Sequence, residues 1–215
     1  MSEVGLRTVA GAAMIIVALA AEWFGGTVFA VLVALAATIM YYEWARLVRG
    51  WGLHWHVAGF FYALLPALAL LWVRERAGEP TGELGFALVL WAFIVTWAAD
   101  IGAFFVGRTF GGPKLAPTIS PNKTISGLVG GVVAATLLSG IWAQLMGLHW
   151  AWLLLAPFFA LAAAGGDLFE SWMKRRAGVK DAGRIIPGHG GVLDRLDGLV
   201  PVAMLTGGFV LLGLA

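Results

Sequence analysis

Residues 84–107 read LGFALVLWAFIVTWAADIGAFFVG and contain one ionisable side chain, Asp100. A helix needs about 20 predominantly apolar residues to cross the hydrocarbon core of a bilayer, and this stretch meets that requirement. The rest of the chain has the same character, because 60% of its 215 residues are hydrophobic and 12% are charged. Soluble domains carry roughly 25% charged residues. The sequence therefore predicts an integral membrane protein.

Six further apolar segments accompany this one. The seven predicted spans lie near residues 7–24, 26–48, 57–74, 84–107, 127–147, 150–173 and 196–214. No internal repeat, low-complexity segment or soluble domain separates them. We predict an all-α fold, a polytopic transmembrane helix bundle of about seven spanning helices, with residues 1–215 forming a single integral-membrane domain.

The basic residues are divided unevenly between the two sides of this bundle. With the N-terminus in the cytoplasm, twelve of the fourteen Lys and Arg residues are cytoplasmic, and only Arg74 and Arg76 lie opposite. Cytoplasmic loops carry such an excess, which predicts an N-in, C-out orientation. Arg7 and the small residues 18–20 also resemble a cleavable signal peptide. We expect this segment to be retained, because the sequence continues to insert into the membrane after it.

Residues 165–198, GGDLFESWMKRRAGVKDAGRIIPGHGGVLDRLDG, concentrate the charge of this apolar chain. Four of the twelve carboxylates lie between Asp167 and Asp194, Asp197 follows, and six of the fourteen basic residues share the stretch. Acids beside a basic, glycine-rich loop indicate a divalent metal and a phosphorylated substrate at a membrane surface. The chain has no cysteine, so a metal must use oxygen or histidine ligands, which favours a hard ion such as Mg²⁺.

Two acidic groups in this stretch have helical spacing. On a continued helix, Asp167, Glu170 and Lys174 share one face with Ser171. Asp167 lies at membrane depth, where acids are usually functional, whereas Glu170 and Lys174 are equally well explained as a structural ion pair. Asp194 and Asp197 open the last predicted helix and are spaced to face one ion. Alternatively they cap that helix.

The intervening loop, residues 175–191, mixes cations with glycine. Backbone N–H groups of Gly188, Gly190 and Gly191 can approach an anion closely. His189 within this loop is either simply exposed, or it touches the substrate as a hydrogen-bond donor to phosphate or as a proton carrier. The loop cations are also compatible with a topology signal or a contact with anionic lipid.

Residues 120–124, SPNKT, form a compact polar turn ahead of a predicted helix. Its hydroxyl and ammonium groups can bind phosphate, and the following helix N-terminus adds a positive dipole. An ordinary helix-start turn explains the same residues. Glu43 lies near another cytoplasmic helix end, where it either pairs with Arg46 or belongs to the site.

These residues together resemble a known family. Ser171 to Arg175, Lys180-Asp181 and the run from Pro187 to Asp197, PGHGGVLDRLD, are similar in order and spacing to the signature of phosphatidate cytidylyltransferases, the CDP-diacylglycerol synthases. The segment from Asp100 through Gly107-Arg108 to Ser120–Thr124 resembles a second family block. The resemblance covers roughly the C-terminal half of the chain and points to residues 100–198 as a cytoplasm-facing catalytic region.

The resemblance implies transfer of CMP from CTP to phosphatidate with Mg²⁺ as cofactor, giving CDP-diacylglycerol and pyrophosphate in phospholipid biosynthesis. It implies a multi-pass bacterial inner-membrane enzyme in contact with membrane lipid, often a homodimer, with a polar funnel that opens sideways to lipid. No nucleic acid is implied. The implied catalytic residues are Asp167, Asp194, Asp197, Lys174 and His189, with Asp167 and Asp194 as metal ligands. The implied substrate-binding residues are Ser120, Asn122, Lys123, Thr124, Ser171, Arg175, Lys180, Asp181, Gly190, Gly191 and Arg195.

Two departures from the family pattern bear on these expectations. Ser126 stands where family members commonly carry an acid, and the chain is shorter than many members. Two other functions remain open. The lipid phosphate could be a different one, such as an isoprenoid or ether lipid, because acyl recognition is diffuse. An ion or proton transporter would use Asp100, Asp167 and Glu43 as a relay, although charge gathered at one face favours phosphate chemistry.

Overall fold

The computed structural model describes residues 3–76, 83–186, 188 and 190–213. Eight helices lie within them: α1 (Glu3–Phe24), α2 (Gly26–Leu47), α3 (Leu53–Arg76), α4 (Glu83–Phe110), α5 (Ile125–Leu145), α6 (Ala151–Arg176), α7 (Leu193–Leu196) and α8 (Leu199–Leu211). Two short strands, β1 (Lys114–Ala116) and β2 (Ser120–Thr124), separate α4 from α5. The predicted helical membrane bundle is confirmed.

Seven of these helices coincide with the seven predicted apolar segments, but not all are long enough to span. Helices α2 to α6 have the length and apolarity to cross a membrane. The apolar part of α1, Val9–Phe24, and α8, Leu199–Leu211, are shorter. Five helices of the described chain therefore support membrane insertion, and the count of seven spans stays a prediction.

Helix α4 lies at the centre of the bundle. Its Trp91 is fully buried and contacts the ring of Trp152 at 4.9 Å and that of Phe159 at 5.0 Å, both on α6. On its other side α5 approaches so closely that a Cβ atom at Gly131 would lie 2.5 Å from the carbonyl oxygen of Ala99. Small residues permit such contact between membrane helices. The small residues Gly127 and Gly131 therefore allow the close approach of α4 and α5.

The segment between α4 and α5 is a β-hairpin, which corrects the prediction of a simple turn at residues 120–124. Strands β1 and β2 pair antiparallel, with Lys114 opposite Thr124. The hydroxyl of Thr124 accepts the N–H of Gly127 at 3.0 Å and so caps α5. The helix-start role considered for this segment is confirmed, and the hairpin additionally directs the Lys123 side chain toward α6.

The last apolar segment begins later than predicted. Asp194 lies on the one-turn helix α7, Asp197 ends it, and α8 starts only at Leu199. The segment between α7 and α8 packs closely against Gly166 on α6. A Cβ atom at Gly166 would clash with the carbonyl oxygen of Asp197. The two acids therefore do not open the last helix. They sit on a separate turn packed against α6.

Candidate active site

A cavity of about 1150 Å³ opens beside α4, α5 and α6. Nine of the predicted site residues line it: Asn122, Lys123, Thr124, Asp167, Lys174, Asp181, Asp194, Arg195 and Asp197. Apolar residues of α1, α4 and α5 line the same cavity, among them Met14, Ile15, Ile101, Phe104 and Leu128. One continuous space thus has a charged region and an apolar region.

Asp194 is held by three hydrogen bonds. Its Oδ1 accepts from Lys174 Nζ at 2.6 Å, and its Oδ2 accepts the N–H groups of Ala182 at 2.9 Å and Gly191 at 2.8 Å. Burial alone would raise the pKa of this carboxyl, but the Lys174 ammonium and the Gly191 N–H hold the pKa below its usual value. Asp194 is therefore a fixed negative charge.

Lys174 connects two acids from different elements. Its ammonium forms an ion pair with Glu170 one turn earlier on α6 and another with Asp194 on α7. Glu170 is almost fully buried and does not line the cavity. The structural ion pair considered for Glu170 is therefore present, and its lysine also belongs to the site.

Asp167 is held by contacts with the hairpin and with its own helix, α6. One carboxylate oxygen forms an ion pair with Lys123 of β2, and the other accepts from the Ser171 hydroxyl at 3.3 Å. This pair joins the hairpin to α6 and brings two predicted site residues together that are 44 positions apart in sequence. About a third of each side chain stays exposed, toward the cavity.

Two further acids face the same space. Asp197 is buried, and its Oδ1 accepts the N–H of Gly198 at 2.8 Å. Burial and then the nearby charge of Asp167 raise the pKa of Asp197 above its usual value. Asp100 on α4 is exposed to the cavity and lies within electrostatic reach of Asp167, Lys123 and Arg195. Mutual repulsion among these carboxylates favours a bound cation.

Six predicted substrate-binding residues do not line the cavity: Ser120, Ser171, Arg175, Lys180, Gly190 and Gly191. Arg175 donates to the carbonyl oxygen of Ile119 at 3.2 Å and to that of Val179 at 3.4 Å, so it fastens the hairpin to the end of α6. Gly190 has a φ of +84° and bridges to Ile186. Its conformation needs glycine. His189 lies outside the described residues.

Sequence reasoning left Glu43 and Ser126 without a role. The Glu43 carboxylate is buried against the loop that precedes α7, while Arg46 donates to the Tyr42 hydroxyl at 3.3 Å. Ser126 contacts the carbonyl of Gly111 and the Thr124 hydroxyl, so it joins the two ends of the hairpin. The only sequence signal for Glu43 was an acid near the end of an apolar helix.

The donor set has the chemistry of a hard-cation site. Among residues 3–76, 83–186, 188 and 190–213, no three His, Asp or Glu side chains are already arranged around a metal position. Asp167 and Asp194 nevertheless offer carboxylate oxygens, which Mg²⁺ prefers. Their present partners are the ammonium groups of Lys123 and Lys174. Because a carboxylate has about four acceptor positions, neither acid is saturated.

Comparison with known proteins identifies relatives of this chain. Residues 52–212 match the model of the cytidylyltransferase family. A Brucella suis protein is 46% identical over 176 residues, which cover 81% of this chain and 62% of that protein. A Staphylococcus epidermidis protein is 46% identical over 128 residues, covering 58% and 49%, and a Helicobacter pylori protein is 44% identical over 120 residues, covering 55% and 45%.

All three relatives are named phosphatidate cytidylyltransferase, and this chain spans 62% or less of their lengths. The family match includes α3 to α8 and every predicted site residue. The chain belongs to the cytidylyltransferase family.

Proposed function

We propose that this chain transfers the CMP group of CTP to phosphatidate, giving CDP-diacylglycerol and pyrophosphate, in phospholipid biosynthesis. The observation that carries the proposal is a cavity that has charged residues at one part of its wall and apolar residues at another. A lipid phosphate is an amphipathic molecule of that kind. The names of the relatives support the same reaction.

The charged region suits a nucleoside triphosphate. Lys123, Lys174 and Arg195 line it and come from β2, α6 and α7. Two phosphate-bearing substrates repel each other, and cations from several directions reduce that repulsion. Asn122 and Thr124, beside Lys123, add hydrogen-bonding groups at the same wall.

The apolar region suits the acyl chains of the lipid. Ile15 on α1 and Ile101 and Phe104 on α4 are all exposed and line the cavity. An apolar wall recognises chains through area and shape, so it accepts a range of lengths. We propose that the lipid phosphate lies with its chains between α1 and α4 and its phosphate at the edge of the charged region.

The reaction then needs positioning and charge balance. A phosphate oxygen of phosphatidate attacks the α-phosphorus of CTP, forming an O–P bond, and the bond to the β-phosphate oxygen breaks to release pyrophosphate. Lys123, Lys174 and Arg195 balance the charge that develops on the leaving group. No protein nucleophile is required, and we assign none.

We propose that Asp167 and Asp194 hold Mg²⁺, with Asp197 as a further acid at the same wall. The ion would polarise phosphate oxygens and neutralise their charge. Asp194 is suited to this role because its orientation is fixed by two backbone N–H groups. His189 remains a predicted proton carrier.

The membrane location follows from α2 to α6. We propose that the membrane is the bacterial inner membrane and that the cavity faces the cytoplasm, since five of the twelve basic residues predicted to be cytoplasmic line it: Arg108, Lys114, Lys123, Lys174 and Arg195. A cytoplasmic cavity has access to CTP. We also propose that the protein contacts membrane lipid and forms a homodimer.

The deciding experiment is transfer of labelled CMP from CTP by detergent-purified protein, with and without Mg²⁺. Phosphatidate and an isoprenyl phosphate are compared as acceptors, and pyrophosphate release is measured in parallel. We expect Mg²⁺-dependent labelling of phosphatidate. Labelling of the isoprenyl phosphate alone would assign a different acceptor, and folded protein without transfer or CTP binding would refute the proposed function.

A further inference from the structure

Glu43 is a buried carboxylate close to the cavity but outside its wall. It lies near the end of α2 and is 1% exposed. Its Oε2 accepts the N–H of Leu193 at 2.8 Å, a contact between residues 150 positions apart. Glu43 thus joins α2 to the first residue of α7.

The loop from Ala182 to Leu193 approaches this side chain at Gly183 and at Gly191. A Cβ atom at Gly191 would lie 2.5 Å from Glu43 Oε2, and one at Gly183 would come closer still to Oε1. Only glycine leaves room for the carboxylate at both places. Glu43 therefore fills the space between the two ends of the loop.

The same loop holds Asp194. The N–H groups of Ala182 and Gly191 both donate to Asp194 Oδ2. Gly191 accordingly contacts Glu43 on one side and Asp194 on the other. A shift of the loop away from Glu43 would carry both of these donors with it.

Burial of Glu43 is not explained by packing alone. A buried carboxylate is costly unless its oxygens are compensated, and Oε1 accepts no hydrogen bond from the described part of the chain. An apolar side chain would fill the same volume without that cost. The specific gain from a carboxylate here is the bond to the backbone at Leu193.

We propose that Glu43 is a positioning residue of the active site, which fixes the Ala182–Leu193 loop so that two of its backbone N–H groups orient Asp194. The inference rests on the proposed function, because it assigns Glu43 an effect on the reaction through Asp194. Its structural part, the fixed loop, can be measured without substrate.

The test compares Glu43→Ala and Glu43→Gln with Glu22→Ala. Glutamine keeps a carbonyl oxygen for the Leu193 N–H at nearly the same volume, whereas alanine removes it. Glu22 is the matched control, since it is fully buried, is paired with Arg74, and lies about 30 Å away at the other end of the bundle.

Backbone hydrogen exchange of the full chain in detergent is the first readout. In Glu43→Ala we expect exchange at residues 182–193 to accelerate by about tenfold or more, the effect of losing a hydrogen bond to a charged group, with α4 and α5 unchanged. Glu43→Gln should keep most of the protection. Glu22→Ala should leave this loop unchanged.

The kinetic readout separates positioning from general damage. We expect Glu43→Ala to lower kcat by about 100-fold with little change in the KM for CTP, and Glu43→Gln to retain most of the activity. Unchanged loop exchange in Glu43→Ala would overturn the proposal, as would equal loss in the Ala and Gln variants. If Glu43→Ala is not recovered folded, Glu43→Asp, one methylene shorter, is measured instead.

The two proposals fail in different ways. Hydrogen exchange needs no substrate, so wild-type protein that transfers no CMP would refute the proposed function and leave the loop measurement valid. Conversely, if the wild-type protein is active and Glu43→Ala exchanges at this loop as slowly as wild type does, only the positioning role is refuted.

Discussion

Replacing Asp194 by asparagine tests the charge that the structure fixes most firmly. The aspartate accepts one hydrogen bond at Oδ1 from Lys174 and two at Oδ2 from backbone N–H groups. Asparagine has one acceptor oxygen and one NH₂ donor. If its oxygen keeps the two backbone donors, its NH₂ group faces the Lys174 ammonium, and two donors oppose each other.

The expected loss of stability follows from that count. A hydrogen bond to a charged group contributes about 1.5–3 kcal/mol. For a chain of this size such a loss lowers the unfolding temperature by about 3–12 °C. Lys174 keeps its ion pair with Glu170, so its ammonium retains a counter-charge and the variant should still fold.

The loss of activity should be much larger than this loss of stability. Asp194 lines the cavity, and its negative charge is the property that asparagine removes. We expect CMP transfer to fall by at least about 100-fold, the effect typical of removing one preorganised electrostatic group. Labelled CMP transfer and thermal unfolding are measured on the same purified sample.

Glu22→Gln is the matched control for this variant. Glu22 is a buried acid paired with Arg74 at 2.9 Å, far from the cavity. It should lose a similar amount of stability and keep transfer within about threefold of wild type, because it touches no substrate. Near-normal kcat in Asp194→Asn, or activity loss no greater than in Glu22→Gln, would refute the assignment of Asp194.

Three other predictions address the hairpin, the apolar wall and the topology. Lys123→Ala should raise the KM for CTP by about tenfold, since a cation at the phosphate wall is lost; an unchanged KM would remove β2 from the site. Met14→Trp should narrow the apolar region and disfavour long-chain phosphatidate relative to a dihexanoyl analogue; equal effects on both lipids would contradict that placement of the acyl chains. A C-terminal reporter should be active in the periplasm, and activity restricted to the cytoplasm would reverse the orientation.

The helices were predictable because a membrane span has a strict length requirement. The segment 84–107 became α4, Glu83–Phe110, and the other predicted segments also lie within a few residues of their helices. The last helix starts at Leu199, after a separate turn that the predicted segment 196–214 did not include. The Asp197-Gly198 pair is a turn signal, which the length of the apolar run alone does not take into account.

The hairpin was not predictable for a different reason. Strand β2 reads SPNKT, which has no alternation of apolar and polar residues and contains proline. Its pairing with β1 depends on the return of the chain from α4 to α5, which sequence periodicity does not report. The phosphate-binding potential of Lys123 was visible, but its ion pair with Asp167 required the fold.

The role of Glu43 shows most clearly what a single sequence cannot predict. The acids near residues 167–197 are neighbours in sequence, so their gathering at one site could be predicted from spacing. Glu43 reaches the same loop from 150 residues away. A single sequence offers no signal for such a contact, and Gly191 had an equally good explanation as anion-binding backbone.

The ion pairs of the site hold together the elements that line it. Lys123 and Asp167 join the hairpin to α6, and Lys174 and Asp194 join α6 to α7. Each charge therefore has two effects when it is removed, one on the chemistry at the cavity wall and one on the position of the wall itself. Effects of substitutions within such a network are not additive. Turnover alone cannot separate the two effects, whereas loop exchange and the division between kcat and KM respond to them differently.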